Sequence, residues 1–226
     1  MTDKSPTQHG AAAISVLSDS GSGRTFITII DDESFEPLAR AVADRLSGRA
    51  RSVLLLSKSV NAQTWHELSD VFASTLARLQ MRQVSLVGIG AGATLALNFV
   101  LSSPKTVRSL AIVDASSRPH PSWWERYVDW VEEHLPFGLP LRLGSVGFNA
   151  KAYLHRVRCP LLAITTAGAS SFIREELRTL SARAPTAWGI ELKGTREEQV
   201  EELTMALLAF QDTPAKCPQK NMKEAV

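Results

Sequence analysis

Apolar and polar positions follow two different periods along this chain. Short continuous apolar runs, rich in β-branched residues, predict strands that are covered on both faces. These runs lie at 25–30, 52–56, 84–87, 107–113, 160–165 and 187–192. Apolar residues between them recur every third or fourth position, which predicts helices at 35–46, 65–79, 92–101, 173–180 and 200–210. Strands that alternate with helices predict an α/β fold with a doubly wound, mostly parallel sheet.

One long insertion interrupts this alternation, at residues 116–158 between two predicted strands. A helix is predicted inside it, because Ser122 and Glu125 have the spacing of a capping box. Two apolar stripes run along this helix, and their aromatic members are Trp123, Trp124, Tyr127 and Trp130. A single core contact needs only one apolar face. We therefore expect one stripe to cover a pocket. The other either meets a protein partner, a second copy or a small apolar ligand, or is buried by the loop 137–148.

Both ends of the chain differ from the middle. Residues 1–10 are polar and lack the apolar run of a signal peptide. Residues 211–226 are rich in lysine and proline and have no apolar period. The 226 residues suit one domain of ordinary size. We expect disordered ends at 1–10 and 211–226 around one domain at 11–210.

Charge and cysteine content limit the classes of partner and compartment. The formal net charge of +2 provides no general field for nucleic acid or membrane, and no apolar segment has the length of a membrane span. The two cysteines are Cys159, beside a predicted strand, and Cys217, in the polar tail. We therefore expect no structural disulfide. We expect a cytoplasmic protein that binds no nucleic acid and has no membrane span.

The segment 84–93 reads as a strand, a glycine turn and the start of a helix. Gly88 and Gly92 frame Gly90, as in the motif G-x-S-x-G that carries the nucleophile of α/β-hydrolases. From Arg24 to Phe210 the order of elements resembles that family. The glycine turn follows two β-α units, and the insertion falls where the family has its lid. The resemblance implies first strands that are reduced to residues 12–17 or absent.

The family's catalytic side chains are missing at the matching positions. Gly90 stands at the nucleophile position and has no side chain. The acid position lies in the loop 166–171, which contains Ser170 but no carboxylate. The histidine position lies in the loop 193–196, where Thr195 stands. Asp31 and Asp32 follow the first strong strand, where a negative charge would oppose an oxyanion. The resemblance therefore implies a hydrolase fold without a Ser-acid-His triad.

Each pocket candidate also has a structural interpretation. Gly90 and Ala91 could form the floor of a binding site, or Gly90 could relieve a strained turn. Asp31 and Asp32 could bind a cation or a cationic ligand, but acids that precede a helix more often cap it, and capping is expected here. Asp114 ends its strand at the edge where ligands bind in this architecture, but local turn bonding is the favoured role.

The loop that contains Thr195 also has a structural interpretation. Thr195 and Glu198 have the spacing of a capping box. Ser170 belongs to the loop at the acid position and is kept as a pocket candidate.

A nucleotide-binding interpretation competes with the hydrolase one. Gly88, Gly90 and Ala93 also match the G-x-G-x-x-A fingerprint, with Asp114 at the end of the next strand. That fingerprint normally lies in the first β-α unit, whereas two units precede it here. The histidines have no metal-ligand spacing, so we expect neither a metal nor a cofactor.

The sequence thus favours a non-catalytic α/β-hydrolase-like protein that acts as a scaffold, an assembly subunit or a small-ligand binder. An enzyme of another class that uses the hydrolase pocket, such as a lyase, isomerase or cyclase, is the first alternative. Nucleotide binding is the second.

Overall fold

A computed structural model describes residues 13–58, 65–115 and 150–211. The strands are β1 Ala13–Ser20, β2 Thr25–Ile30, β3 Arg51–Lys58, β4 Val84–Ile89, β5 Val107–Val113, β6 Leu161–Thr165 and β7 Ala187–Glu191. The helices are α1 Glu36–Ser47, α2 Trp65–Arg78, α3 Gly92–Ser102, α4 Ser171–Arg183 and α5 Arg196–Gln211. Short 3-10 helices span Glu33–Phe35 and Ala150–Arg156.

The strands form one seven-stranded sheet in the order β1-β3-β2-β4-β5-β6-β7. All neighbouring pairs are parallel except β1 and β3, which are antiparallel. The predicted doubly wound, mostly parallel sheet is confirmed. The alternative that the first strands are absent is wrong, because β1 pairs with β3 along its length. Arg51 on β3 and Asp19 on β1 form a two-bond ion pair at 2.9 and 2.7 Å, which lowers the pKa of Asp19.

Helices cover both faces of the sheet and make two hydrophobic cores. One core lies under α2, α3 and α4 and the other under α1 and α5. Edge-on aromatic pairs lie in each, Phe72 with Phe99 and Trp188 with Phe210, at centroid distances of 4.6 and 5.5 Å. Every residue of β4 is buried, because a strand between two helical layers has no face in water. That burial explains the continuous apolar runs of the sequence.

Parallel strands give the sheet two chemically distinct edges. The carboxyl ends of β2 to β7 meet at one edge, which we call the carboxyl edge, and their amino ends meet at the opposite amino edge. Helix α5 continues through Gln211, which is the first residue of the predicted tail. The rest of both ends and residues 116–149 of the insertion lie outside the described residues. No helix among the described residues is long and apolar enough to cross a membrane.

Candidate functional site

The turn between β4 and α3 lies at the carboxyl edge and depends on glycine. Gly90 has a φ of +60°, in the left-handed region that side chains disfavour. Its amide donates to the carbonyl oxygen of Val113 at 3.0 Å, which fixes the turn against β5. A Cβ atom on Gly90 would lie 2.6 Å from Cε2 of Phe35. The ring of Phe35 therefore occupies the space that a side chain at position 90 would enter.

The two framing glycines allow α3 to approach the sheet closely. A Cβ on Gly88 would collide with the backbone of Ala93, and one on Gly92 would collide with the carbonyl oxygen of Ile29. Neither contact has a flexible side chain that could move aside. The glycine frame of the motif is therefore explained by packing, whatever stands between the two glycines.

Asp31 follows β2 and reaches the start of α3. Its Oδ1 accepts hydrogen bonds from the amides of Ala91 and Gly92 at 3.1 and 3.3 Å. Burial raises the pKa of Asp31, the hydrogen bonds from backbone amides lower it, and the charge of Asp32 raises it. The prediction that Asp31 caps the helix that follows it is wrong. The side chain instead holds amides of α3, sixty residues further along the chain.

Asp32 makes the local cap that was predicted for the two acids. Its carboxylate accepts from the amide of Ser34 at 2.8 Å, and its carbonyl oxygen accepts from the amide of Phe35 at 3.1 Å. These bonds form the 3-10 helix before α1. That turn places the half-buried ring of Phe35 over Gly90.

Asp114 joins two neighbouring strand ends. Its Oδ1 accepts from the amide of Thr166 at 2.8 Å, and its Oδ2 accepts from the Thr166 hydroxyl at 2.5 Å. The residue has a φ of +46°, which aspartate tolerates better than most side chains. The expected bonding within its own turn is therefore wrong, because the partner follows β6. Both oxygens of Asp114 are already used inside the protein.

Ser170 and Thr195 both begin helices. The Ser170 hydroxyl accepts from the amide of Ile173 at 3.3 Å, which caps α4. Thr195 and Glu198 exchange the bonds of a capping box: the Thr195 amide donates to the Glu198 carboxylate at 2.7 Å, and the Glu198 amide donates to the Thr195 hydroxyl at 3.4 Å. The predicted box is present, and its bonds lower the pKa of Glu198.

The remaining candidates lie away from the carboxyl edge or outside the described residues. The four aromatic residues proposed for the insertion fall outside the described residues: Trp123, Trp124, Tyr127 and Trp130. Cys159 is buried, and burial raises the pKa of its thiol to about 12, so the thiolate is scarce at neutral pH. No group of three histidine, cysteine, aspartate or glutamate side chains suited to a metal occurs within the described ranges.

Comparison with known proteins gives a match at the level of structure alone. No family model matches the chain, and no curated protein matches it. An esterase from Thermogutta terrifontis superposes with a TM-score of 0.64 at 15% identity, over 91% of this chain and 95% of that one. An enol-lactonase from Burkholderia xenovorans superposes with a TM-score of 0.66 at 12% identity, over 88% of this chain and 96% of that one.

A third solved structure agrees with these two. An esterase from Exiguobacterium antarcticum superposes with a TM-score of 0.65 at 12% identity, over 89% of this chain and 96% of that one. The chain has an α/β-hydrolase fold. At such low identity the likeness establishes the architecture, and the chemistry depends on the residues present.

Within the α/β-hydrolase fold, two residues that the sequence analysis did not assign to the site prove central. The sequence predicts Phe35 only as the first residue of an apolar helix stripe, and Thr166 only as one residue of a loop without carboxylates. Their roles depend on contacts with Gly90 and Asp114, which are far from them in sequence. An aromatic residue shortly after the first strong strand, together with glycine at the nucleophile position, is the signal that could have indicated Phe35.

Proposed function

We propose that this chain is a catalytically inactive α/β-hydrolase-fold protein that acts by binding, as a scaffold or an assembly subunit. The observation that carries the proposal is the position of the Asp31 carboxylate on the amides of Ala91 and Gly92. In the family, the amide of the residue after the nucleophile helps to stabilise the oxyanion. Here that residue is Ala91.

An occupied oxyanion site opposes acyl transfer for two reasons. A tetrahedral intermediate needs free amide donors, and removing one donor from such a site lowers kcat by about 10²–10³. Asp31 fills those donors and, when ionised, adds a negative charge beside the developing oxyanion. Protonated Asp31 could still accept hydrogen bonds from the amides of Ala91 and Gly92, so these donors would stay occupied.

Phe35, whose ring lies beside the nucleophile position, supports the same proposal. A serine at position 90 would have its Cβ against the Phe35 ring, so this ring occupies the space that the nucleophile would need. The filled turn favours a contact surface over a buried small-ligand site. Among the roles expected from the sequence, we therefore favour a scaffold or an assembly subunit over a small-ligand binder.

The same contacts argue against nucleotide binding at this turn. A pyrophosphate would need the amides at the start of α3, and Asp31 holds two of them. A ribose would need the carboxylate of Asp114, and each of its oxygens already accepts a hydrogen bond from Thr166. Calorimetric titration with NAD, NADP and FAD should therefore show no saturable heat. A saturable heat that disappears in Asp114→Ala would restore the nucleotide hypothesis.

The decisive experiment measures hydrolysis and active-site labelling together. The purified protein should turn over activated esters no faster than a heat-denatured sample. A fluorophosphonate probe should label no serine, as measured by intact-mass spectrometry. Stoichiometric labelling of one serine, or saturable ester turnover, would overturn the proposal.

The binding surface is expected on the insertion, where Trp123 and Tyr127 belong to one predicted stripe. We expect Trp123→Ala with Tyr127→Ala to leave the fold intact and to disrupt an oligomer or a partner complex, as measured by light scattering and by pull-down from the native host. The matched control is Tyr153→Ala, since Tyr153 is an exposed aromatic outside that stripe. If the double variant unfolds, or keeps every assembly of the wild type, the stripe belongs to the core.

A further inference from the structure

The amino edge of the sheet carries a row of basic residues. Each parallel strand has an arginine at or just before its first residues, and these are Arg24 for β2, Arg51 for β3, Arg82 for β4, Arg108 for β5, Arg158 for β6 and Arg183 for β7. All are exposed except Arg51, which is half-buried in its ion pair with Asp19. From β3 to β7 the row is about 24 Å long, since neighbouring strands lie about 4.8 Å apart.

Within the described part of the chain, little of this positive charge is compensated by acidic groups. Arg82, Arg108 and Arg158 form no ion pair with any residue that the structure describes. Among the described residues, the acidic groups near the amino edge are Asp19, which pairs with Arg51, Asp44 in the last turn of α1, and Glu201, which pairs with Arg45 of that same turn. The small net charge of the whole chain therefore conceals a basic edge.

Helix dipoles explain only part of the row. Arg183 lies in the last turn of α4, where a cation offsets the negative end of the helix. Arg82, Arg108 and Arg158 lie outside the helices and have no such role. Arg108 occupies a register shift between β4 and β5, where Val84 pairs with Val107 and Ser85 pairs with Ser109. This extra residue has no partner opposite it, and its side chain is exposed.

We propose that this amino edge binds the phosphate backbone of a nucleic-acid duplex. Guanidinium groups suit phosphate because their planar forks donate two hydrogen bonds to it. A row of about 24 Å spans roughly seven steps of a duplex at about 3.4 Å each. A surface that binds single strands needs several exposed aromatic rings on which bases stack. At this end of the described chain the exposed aromatic ring is that of Tyr153, and it lies under the Arg156 guanidinium.

The sequence beyond α5 adds only a small net positive charge. That helix ends at Gln211, at the amino edge. The fifteen residues that follow include three lysines, Lys216, Lys220 and Lys223, and two acids, Asp212 and Glu224. If the protein contacts only the phosphate backbone of the duplex, its affinity should not depend on base sequence and should fall steeply as salt increases. The proposal is independent of whether the carboxyl edge is catalytic.

Fluorescence anisotropy with a labelled duplex DNA of about 20 base pairs tests the proposal on the full chain. The wild type should bind duplexes of unrelated sequence equally well. Its affinity should fall steeply as salt increases from about 50 to about 200 mM. The triple variant Arg82→Gln, Arg108→Gln, Arg158→Gln should bind at least tenfold more weakly at low salt. Its salt slope should be smaller by about 2–3, because each phosphate contact contributes about 0.9.

A second triple variant, Arg40→Gln, Arg178→Gln, Arg196→Gln, removes the same formal charge from exposed positions away from the amino edge. It should bind like the wild type, and circular dichroism should show both variants folded. Absence of saturable duplex binding, or equal losses in the two variants, would overturn the proposal. Binding to phosphatidylserine vesicles without binding to duplex would also overturn it and would assign the edge to a membrane surface.

Discussion

At the carboxyl edge of the sheet, acidic side chains accept hydrogen bonds from the chain itself, whereas Arg82, Arg108 and Arg158 at the amino edge form no ion pair with a described residue. Asp31 accepts from amides at the start of α3, and Asp114 accepts from Thr166. Arg82 and Arg108 have no ion-pair partner among the described residues. Polar groups that bind one another inside a protein are unavailable to ligands. The acidic groups described at the carboxyl edge are therefore engaged within the protein, whereas three arginines at the amino edge are exposed among the described residues.

The largest effect is expected where the carboxyl edge is packed most tightly. Gly88→Ala would place a Cβ against the backbone of Ala93, so we expect a loss of about 3 kcal/mol or more in the free energy of unfolding. Gly48→Ala is the control, since its nearest atom would lie at 3.8 Å, and it should be neutral or slightly stabilising. Urea denaturation would measure both variants. Equal stability of the two would show that α3 is less closely packed than described.

Gly90→Ser measures how completely Phe35 fills the nucleophile position. We expect it to lose about 1–3 kcal/mol because of the positive φ and to gain no esterase activity, since Thr195 cannot act as a base. Phe35→Ala in the same chain should recover the steric part of that loss. A double-mutant cycle by urea denaturation would separate the two contributions. An equally stable and esterolytic Gly90→Ser protein would mean that the turn has been misassigned.

Asp114→Ala tests whether the acid at the end of β5 is structural. It would leave the buried amide and hydroxyl of Thr166 without their acceptor, so we expect a loss of about 2 kcal/mol. Asp114→Asn keeps a carbonyl oxygen for the amide and should lose less. Thermal denaturation at neutral pH would rank the three proteins. Full stability of Asp114→Ala would reopen a ligand-binding role for this residue.

Asp31→Asn should change how stability depends on pH. Burial raises the pKa of Asp31 above its ordinary value of 3.8, so its favourable contribution is complete below that value. The contribution is lost as pH rises through the folded-state pKa. The stability of the variant relative to wild type should therefore increase from about pH 4 towards neutrality. A relative stability that stays constant or decreases across that range would show that the hydrogen bonds from α3 outweigh the burial.

The smallest effect on stability is expected at the amino edge. The triple variant Arg82→Gln, Arg108→Gln, Arg158→Gln should remain within about 1 kcal/mol of the wild type, because exposed side chains without partners contribute little to folding. Urea denaturation at low and high salt would measure it. A large loss of stability would mean that these arginines support the fold, and the contrast between the two edges would disappear.

Much of the fold could be predicted because its signals are local. The apolar run of β5 was predicted with the bounds that the structure has, 107–113. The capping box of Thr195 and Glu198 depends on two residues three positions apart. β1 was predicted only in part, because its polar and apolar residues are mixed and its pairing with β3 joins segments distant in the chain.

The candidate site was predicted as a set of positions but not as a set of contacts. The sequence identified Gly90, Asp31 and Asp114 and showed that a nucleophile was missing. It assigned Asp31 to the wrong helix, since its amide partners are sixty residues away. Local patterns carry no information about which backbone amides a carboxylate will reach.

The sequence by itself determined the strand and helix order, the glycines of the turn and the absence of a serine between them, since period and residue identity are local properties. Only the tertiary structure decided that Phe35 fills the space above Gly90, that Asp31 holds the amides of α3, and that arginines from separate strands share one edge. Such contacts depend on strand order, which brings together residues that the chain keeps apart.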